Sequence, residues 1–227
     1  MFARVGSNPI APPTTLNELG MESASNPKVA LSEFNYKKGI EIYGEKEPAD
    51  YVYQVKTGAV RSYKLLSDGR RQIGAFHLVS DIFGLENGGT HRFTAEAIVD
   101  TTVRLIKRQS LELVAESDAM VARNLLSMTT SNLQHAEDHM LLLGRKTSIE
   151  RVAAFLIEMD KRLTAAHVMA LPMSRRDIAD YLGLTLETVS RALSRLHGLG
   201  VLGFTSNSQR QIVLLDRIRL TSLDLQN

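Results

Sequence analysis

The chain has no cysteine. That excludes a disulfide framework, a thiolate zinc site and a cysteine-ligated iron–sulfur cluster. No apolar run approaches the roughly 20 residues that span a membrane. The opening stretch, MFARVGSNPIAPPTTLNELG, has no apolar core of the secretory kind. These absences point to a soluble, cytoplasmic protein. Excess charge is also scarce: the net is +2 at pH 7, so the molecule as a whole is not a polycation. His135 and His139 stand at i, i+4, but no Glu follows His135, so the H-E-x-x-H metalloprotease pattern is missing. The pair reads either as half of a metal site or as two polar positions on a surface or interface helix. With no nucleophile–base pair, P-loop or full ligand set, the sequence gives no support to an enzyme, a cofactor or a metal.

What is present is a clear order of segments. Of the 227 residues, 44% are hydrophobic, enough for a substantial core. Residues 1–28, rich in Pro, Ser, Asn and Thr, read as a mobile tail. Residues 29–109 read as strands: YVYQV, AVRSYKLL, RQIGAF, AEAIVD and TTVRLIK, punctuated by turn signals such as Asp68–Gly69. Short strands at this spacing predict an antiparallel, jelly-roll-like β-roll.

Residues 110–144 change to helical periodicity. LELVAES leads into a long segment without Pro or Gly through Leu143, with Gly144 as the expected stop. Leu126, Thr129, Leu133, Ala136, Met140 and Leu143 recur at alternating spacings of three and four, a heptad seam. Little chain remains to cover such a seam, so it is expected to pack on its own copy about a two-fold axis. A helix lying on the β-domain is the alternative.

Residues 145–227 open with a helix from Ser148 to about Leu163, whose Val152, Phe155, Leu156 and Met159 form an inward stripe. Then comes RRDIADYLGLTLETVSRALSRLHGLGVL, Arg175 to Leu202. Ile178, Leu182 and Leu184 are apolar where a first helix and turn must face a core. Ala179 is small where two helices cross, and Gly183 sits where the turn needs a positive φ. Val189, Ala192, Leu193 and Leu196 line the inner face of a second helix. This is a helix-turn-helix, and VLGFTSNSQRQIVLL, with a turn at Thr205–Ser208, reads as the wing behind it. The predicted class is α+β: β-roll, long dimerisation helix, winged helix-turn-helix.

Side-chain chemistry assigns roles on the second helix. Thr185 is a natural N-cap. Arg191 can donate two hydrogen bonds to a guanine, and Glu187 can accept from a cytosine amine. Ser190 suits a base or a phosphate, and Leu186 suits a thymine methyl or local packing. The i, i+4 spacing of Glu187 and Arg191 also fits a plain surface ion pair. Ser174, Arg175, Arg176, Thr185, Thr188 and Arg210 are placed for phosphate contacts, which position a protein without specifying sequence.

The order of segments resembles the Crp/Fnr family of transcription regulators over nearly the whole chain after residue 28. ETVSR, Glu187 to Arg191, is similar to the E-x-x-S-R recognition signature of the Fnr branch. PMSRRDIADYLGLTLETVSRALSRLHGLG resembles the FixK-type regulators of rhizobia. The resemblance implies an activator that binds double-stranded DNA as a homodimer, contacts RNA polymerase and serves low-oxygen or nitrogen-fixation gene control. It implies a palindrome with TTGAT-like half-sites, read by Glu187, Ser190 and Arg191.

Departures from the family narrow this further. The cluster cysteines of the oxygen-sensing branch are absent. In FGLENGGTHRFTAEA, Gly84, Glu86 and Arg92 are present, but Glu86 does not directly follow Gly84, and Phe93 separates Arg92 from Thr94. The phosphate cassette of the cyclic-nucleotide branch is thus broken, and the FixK-type resemblance implies activity without a bound effector. The alternative is a small-molecule-gated regulator of the same architecture. Ser174 sits at a helix start beside arginines, where a Cys would have a lowered thiol pKa. Whether it replaces a redox-sensitive Cys stays open.

Overall fold

The computed structural model describes residues 31–165, 167–205 and 210–224. The tail expected at 1–28 and most of the wing turn lie outside them. Eight strands come first: β1 Ser32–Tyr36, β2 Glu41–Tyr43, β3 Tyr51–Thr57, β4 Val60–Leu65, β5 Arg71–His77, β6 Ile82–Phe83, β7 Thr94–Ala97 and β8 Thr101–Lys107. They form two antiparallel sheets, ordered β1-β8-β3-β6 and β2-β7-β4-β5, which is the jelly-roll arrangement. Strand periodicity explains the layering. In β3, Tyr53 and Val55 point into the roll with Tyr43, Phe83 and Val103. Val52, just before Tyr53, points to the opposite face and onto helices, beside Ile106, Leu111, Val114 and Val121. The β3–β4 turn needs Gly58: its φ is +87°, and a Cβ there would fall 2.6 Å from the Asp100 carbonyl oxygen.

Two helices follow, α1 Arg108–Ser117 and α2 Ala119–Arg145. Asp118 breaks the pair and caps the second, its Oδ1 accepting from the amides of Met120 at 2.8 Å and Val121 at 3.3 Å. The expected stop at Gly144 is corrected: Gly144 lies inside α2, which runs to Arg145. The end is set instead by Arg151, whose guanidinium donates to the carbonyls of Leu143 at 2.8 Å and Lys146 at 2.9 Å. A side chain from the next helix thus satisfies orphan carbonyls that a glycine cap otherwise would.

The C-terminal part comprises α3 Ser148–Leu163, β9 Thr164–Ala165, β10 Val168–Ala170, α4 Arg175–Leu182, α5 Leu186–Gly198, β11 Leu202–Phe204, β12 Gln211–Leu214 and α6 Arg217–Asp224. Helix α3 has the bounds and the inward stripe read from the sequence. The wing strands β11 and β12 belong to a sheet ordered β11-β12-β10-β9. The β9–β10 hairpin and α6 had no counterpart in the sequence reading. Helix α6 buries Leu220 and ties down through Arg217, which donates to Asp160 at 2.8 and 3.0 Å. One apolar core runs from Ile73, Phe76 and Leu78 of the roll into Phe155, Tyr181 and Leu196 of the C-terminal part. No helix among the described residues is long and apolar enough to cross a membrane.

Candidate nucleic-acid interface

Helices α4 and α5 and the turn between them make the helix-turn-helix. Ser174 caps α4 in a full capping box: its hydroxyl accepts from the Asp177 amide at 3.2 Å, while the Asp177 carboxylate accepts from the Ser174 amide at 2.9 Å and hydroxyl at 2.6 Å. Gly183 ends α4 at φ +61°, the left-handed turn the sequence called for. Thr185 caps α5, accepting from the Thr188 amide at 3.2 Å. Val189, Ala192, Leu193 and Leu196 bury the inner face of α5. Leu182 and Ile178 meet them from α4.

The outer face of α5 carries the predicted base-reading residues together. Glu187 and Arg191 are exposed and Ser190 is half-buried. Leu186 is half-buried too, less open than a free thymine-methyl probe would be. Arg191 Nε donates to the Glu187 carbonyl oxygen at 3.4 Å, so the link between the pair runs through backbone and the Arg191 fork is not held by the carboxylate. The amide of Glu187 itself and the Thr185 hydroxyl hold the Glu187 carboxyl below its usual range, with the Arg176 and Arg191 charges adding to this. It is therefore an acceptor at neutral pH.

The predicted phosphate contacts divide. Thr185 and Arg176 are exposed and Arg210 stands exposed before β12. Ser174, Arg176 and Arg210 come together along one cleft, whose far wall includes Lys38 and Glu96 of the β-roll. Thr188 is half-buried, its hydroxyl 3.0 Å from that of Thr185. Arg175 is half-buried, and its Nη1 donates to Ser190 Oγ at 3.2 Å, linking the two helices.

On α2, the predicted seam residues Leu126, Thr129, Leu133, Ala136 and Met140 are exposed, with Leu126 at 68%, Leu133 at 58% and Met140 at 65%. Thr129 returns its hydroxyl to the Leu125 carbonyl at 2.8 Å, leaving its methyl outward. Leu143 differs: it is half-buried, and its Cδ2 lies 3.6 Å from where a Cβ on Gly183 would be. It therefore packs toward the helix-turn-helix. His135 and His139 also face α4. His139 stacks on Tyr181 at 4.1 Å, and His135 Nε2 is 3.4 Å from the Tyr181 hydroxyl. Burial pushes the His139 pKa down to about 4, with the His135 charge adding to the shift. Among the described residues, no three His, Asp or Glu side chains are grouped to hold a metal ion.

Sequence reasoning did not find the polar interior of the roll or the contacts that seat α4. His91, in the loop of the broken cassette, is 1% exposed and stacks face to face on Tyr43 at 3.5 Å. Glu86 lies against it, Oε1 3.7 Å from His91 Nδ1, and accepts from the Arg92 amide at 3.3 Å. Asp177 and Asp180 on α4 meet Arg61 and Arg71 of the roll. The S-x-x-D spacing announced the capping role of Asp177, but nothing local announced its second partner.

A jelly-roll joined by a long helix to a winged helix-turn-helix with an open, N-capped second helix defines a DNA-binding transcription regulator. A profile of the Crp-like helix-turn-helix domain matches residues 150–223, and one of the cyclic nucleotide-binding domain matches residues 33–118. The chain is 44% identical over 181 residues to the nitrogen fixation regulation protein FixK of Rhizobium meliloti, covering 80% of this chain and 81% of that protein. It is 45% identical over 194 residues to FixK of Azorhizobium caulinodans, covering 83% and 77%. The solved structure of FixK2 from Bradyrhizobium japonicum superposes with a TM-score of 0.83 at 70% identity, covering 86% of this chain and 98% of that one. The chain belongs to the Crp/Fnr family, in its FixK-type branch, a family of transcription regulators and not of enzymes.

Proposed function

We propose that this regulator is an activator that binds, as a homodimer and without a small-molecule effector, to a palindrome with TTGAT-like half-sites, recruits RNA polymerase, and serves nitrogen-fixation or low-oxygen gene control. The observation that carries the reading is the row Glu187, Ser190, Arg191 on the outer face of the capped helix α5, with acceptor and fork donor exposed side by side. The G·C pair of TTGAT offers a guanine to Arg191 and a cytosine to Glu187. Ser174, Arg176, Thr185 and Arg210 flank that row as phosphate contacts. The open apolar face of α2 supports the dimer, with Leu126, Leu133 and Met140 as its central knobs. A two-fold axis there would set two copies of α5 about one DNA turn apart.

The interior of the roll supports effector-free action. His91, Tyr43, Tyr53 and Phe83 fill it as one aromatic cluster, and the Glu86 carboxylate is engaged by its own loop. Titration of purified protein against a TTGAT palindrome, and against one with the G·C pairs inverted, tests the reading. Tight binding to the first and weak binding to the second are expected; equal binding to both would overturn it.

A further inference from the structure

Helix α4 is seated on the β-roll by charge as well as by apolar packing. Arg61 of β4 donates to Asp177 Oδ1 and to Glu96, both at 2.6 Å. Arg71 of β5 donates to the same Asp177 oxygen at 2.7 Å and to Asp180 at 2.9 Å. Gln72 adds a bond to the Tyr181 carbonyl at 3.3 Å. Both guanidiniums also lie near the Tyr63 ring, Arg61 at 5.8 Å and Arg71 at 5.5 Å from its centre. Asp177 divides its labour: Oδ2 caps α4 through Ser174 while Oδ1 takes both arginines. Burial alone would push this carboxyl up, but Ser174 and then the two arginines outweigh it, and the net shift is downward. Asp177 is 5% exposed, so these bonds act in a medium of low dielectric constant.

Buried ion pairs of this kind are weak sources of stability, because desolvation cancels much of the attraction. Their geometry is what they supply: a forked guanidinium fixes direction where an apolar contact can slide. The face of α4 that they hold carries Asp177, Asp180 and Tyr181. The face of α5 that carries Glu187 and Arg191 is turned away to solvent, and Arg176 and Thr185 stay exposed beside it. The grip is passed to α5 by the Arg175–Ser190 bond and the Gly183 turn. The seat therefore holds the reading head without covering it.

We infer that Arg61 and Arg71 are positioning residues: they clamp α4 so that the reading head stands in its DNA-competent orientation with no small molecule bound. This rests on the effector-free reading above and names what takes the effector's place.

The test uses Arg71→Met, which keeps length and apolar volume but loses the fork, with Arg71→Lys as the conservative variant and Asp180→Asn as a second route to the same loss. Because the chain has no cysteine, spin labels can be placed at Ser67→Cys in the β4–β5 hairpin and Ser222→Cys on α6, both exposed. Doubly labelled chain is diluted with unlabelled chain, so that distances within one protomer are read. Arg71→Met is expected to fold but to melt below the parent, since Asp177 and Asp180 lose a partner, to broaden the label distance distribution, and to raise Kd for the palindrome about tenfold, as the competent population falls. Arg71→Lys should restore most of both, and Asp180→Asn should repeat the loss. Parent-like affinity in both Arg71→Met and Asp180→Asn would overturn the clamp, as would lost affinity with an unchanged distance distribution. Failure of the effector-free reading registers separately, in the parent, which would then bind the palindrome only with nucleotide added.

Discussion

The β-roll and the winged helix dispose of their polar side chains in opposite ways. In the roll, His91 is stacked under Tyr43 with neither ring nitrogen hydrogen-bonded, and His77 is stacked on Phe83 with its Nε2 against Ser62 at 2.8 Å. In the winged helix, Glu187 and Arg191 stand exposed on a rigid, capped helix. A buried imidazole held neutral has little to offer a ligand, whereas exposed charge on a fixed frame has much to offer a nucleic acid. On the proposed reading, the contrast makes the roll a support and places the recognition chemistry in the head. Charged groups at their boundary join the two.

The contrast can be broken most strongly at the proposed α2 seam. Leu126→Glu with Leu133→Glu should leave the roll folded and convert dimer to monomer in analytical ultracentrifugation. Palindrome affinity should fall by about 100-fold or more, as the second half-site no longer adds avidity.

Acid should attack the desolvated histidines, one inside the roll and one against α4. His77 is pushed down to about 3 by burial and then by the Arg162 charge, and His139 to about 4. Both stay neutral in the fold below the ordinary imidazole value of 6.5 while the unfolded chain takes up protons. Their contribution is complete above pH 6.5 and is lost as pH falls from there toward 4. The slope is at most about 1.4 kcal/mol per pH unit for each. Calorimetric melts between those limits check this, and a flat Tm would contradict it.

Two substitutions then sharpen the contrast from either side. Arg191→Ala should weaken palindrome binding by about 1–3 kcal/mol and relax selection at the guanine, with Tm unchanged. A uniform loss on all sequences would reduce Arg191 to a phosphate contact. His91→Ala should do the reverse, lowering stability by about 2 kcal/mol while folded protein keeps its DNA affinity. Smallest is Ser174→Ala, worth about 1 kcal/mol of stability through the lost cap, measured by urea unfolding.

How much of this was legible in the sequence follows from the range of the interactions. Local signals read well: the inward stripe of α3, the Thr185 cap, Gly183, and the strand rhythm from Tyr51 to Lys107 all stand where periodicity and turn chemistry put them. Gly144 misled because the carbonyls it would have served are taken by Arg151, a partner from another helix. The i, i+4 spacing of Glu187 and Arg191 shows proximity along one helix and not which atom is met: Arg191 reaches the Glu187 carbonyl. The seating of α4 on Arg61 and Arg71 joins residues more than a hundred positions apart, and no local pattern encodes it.

Fluorescence anisotropy of a labelled TTGAT palindrome, titrated with purified protein with and without millimolar cyclic nucleotide, weighs support against sensor most directly. One binding curve, tight and identical in both conditions, is expected of a head already held in place by its roll. Binding that emerged only with nucleotide would mean that the roll senses after all.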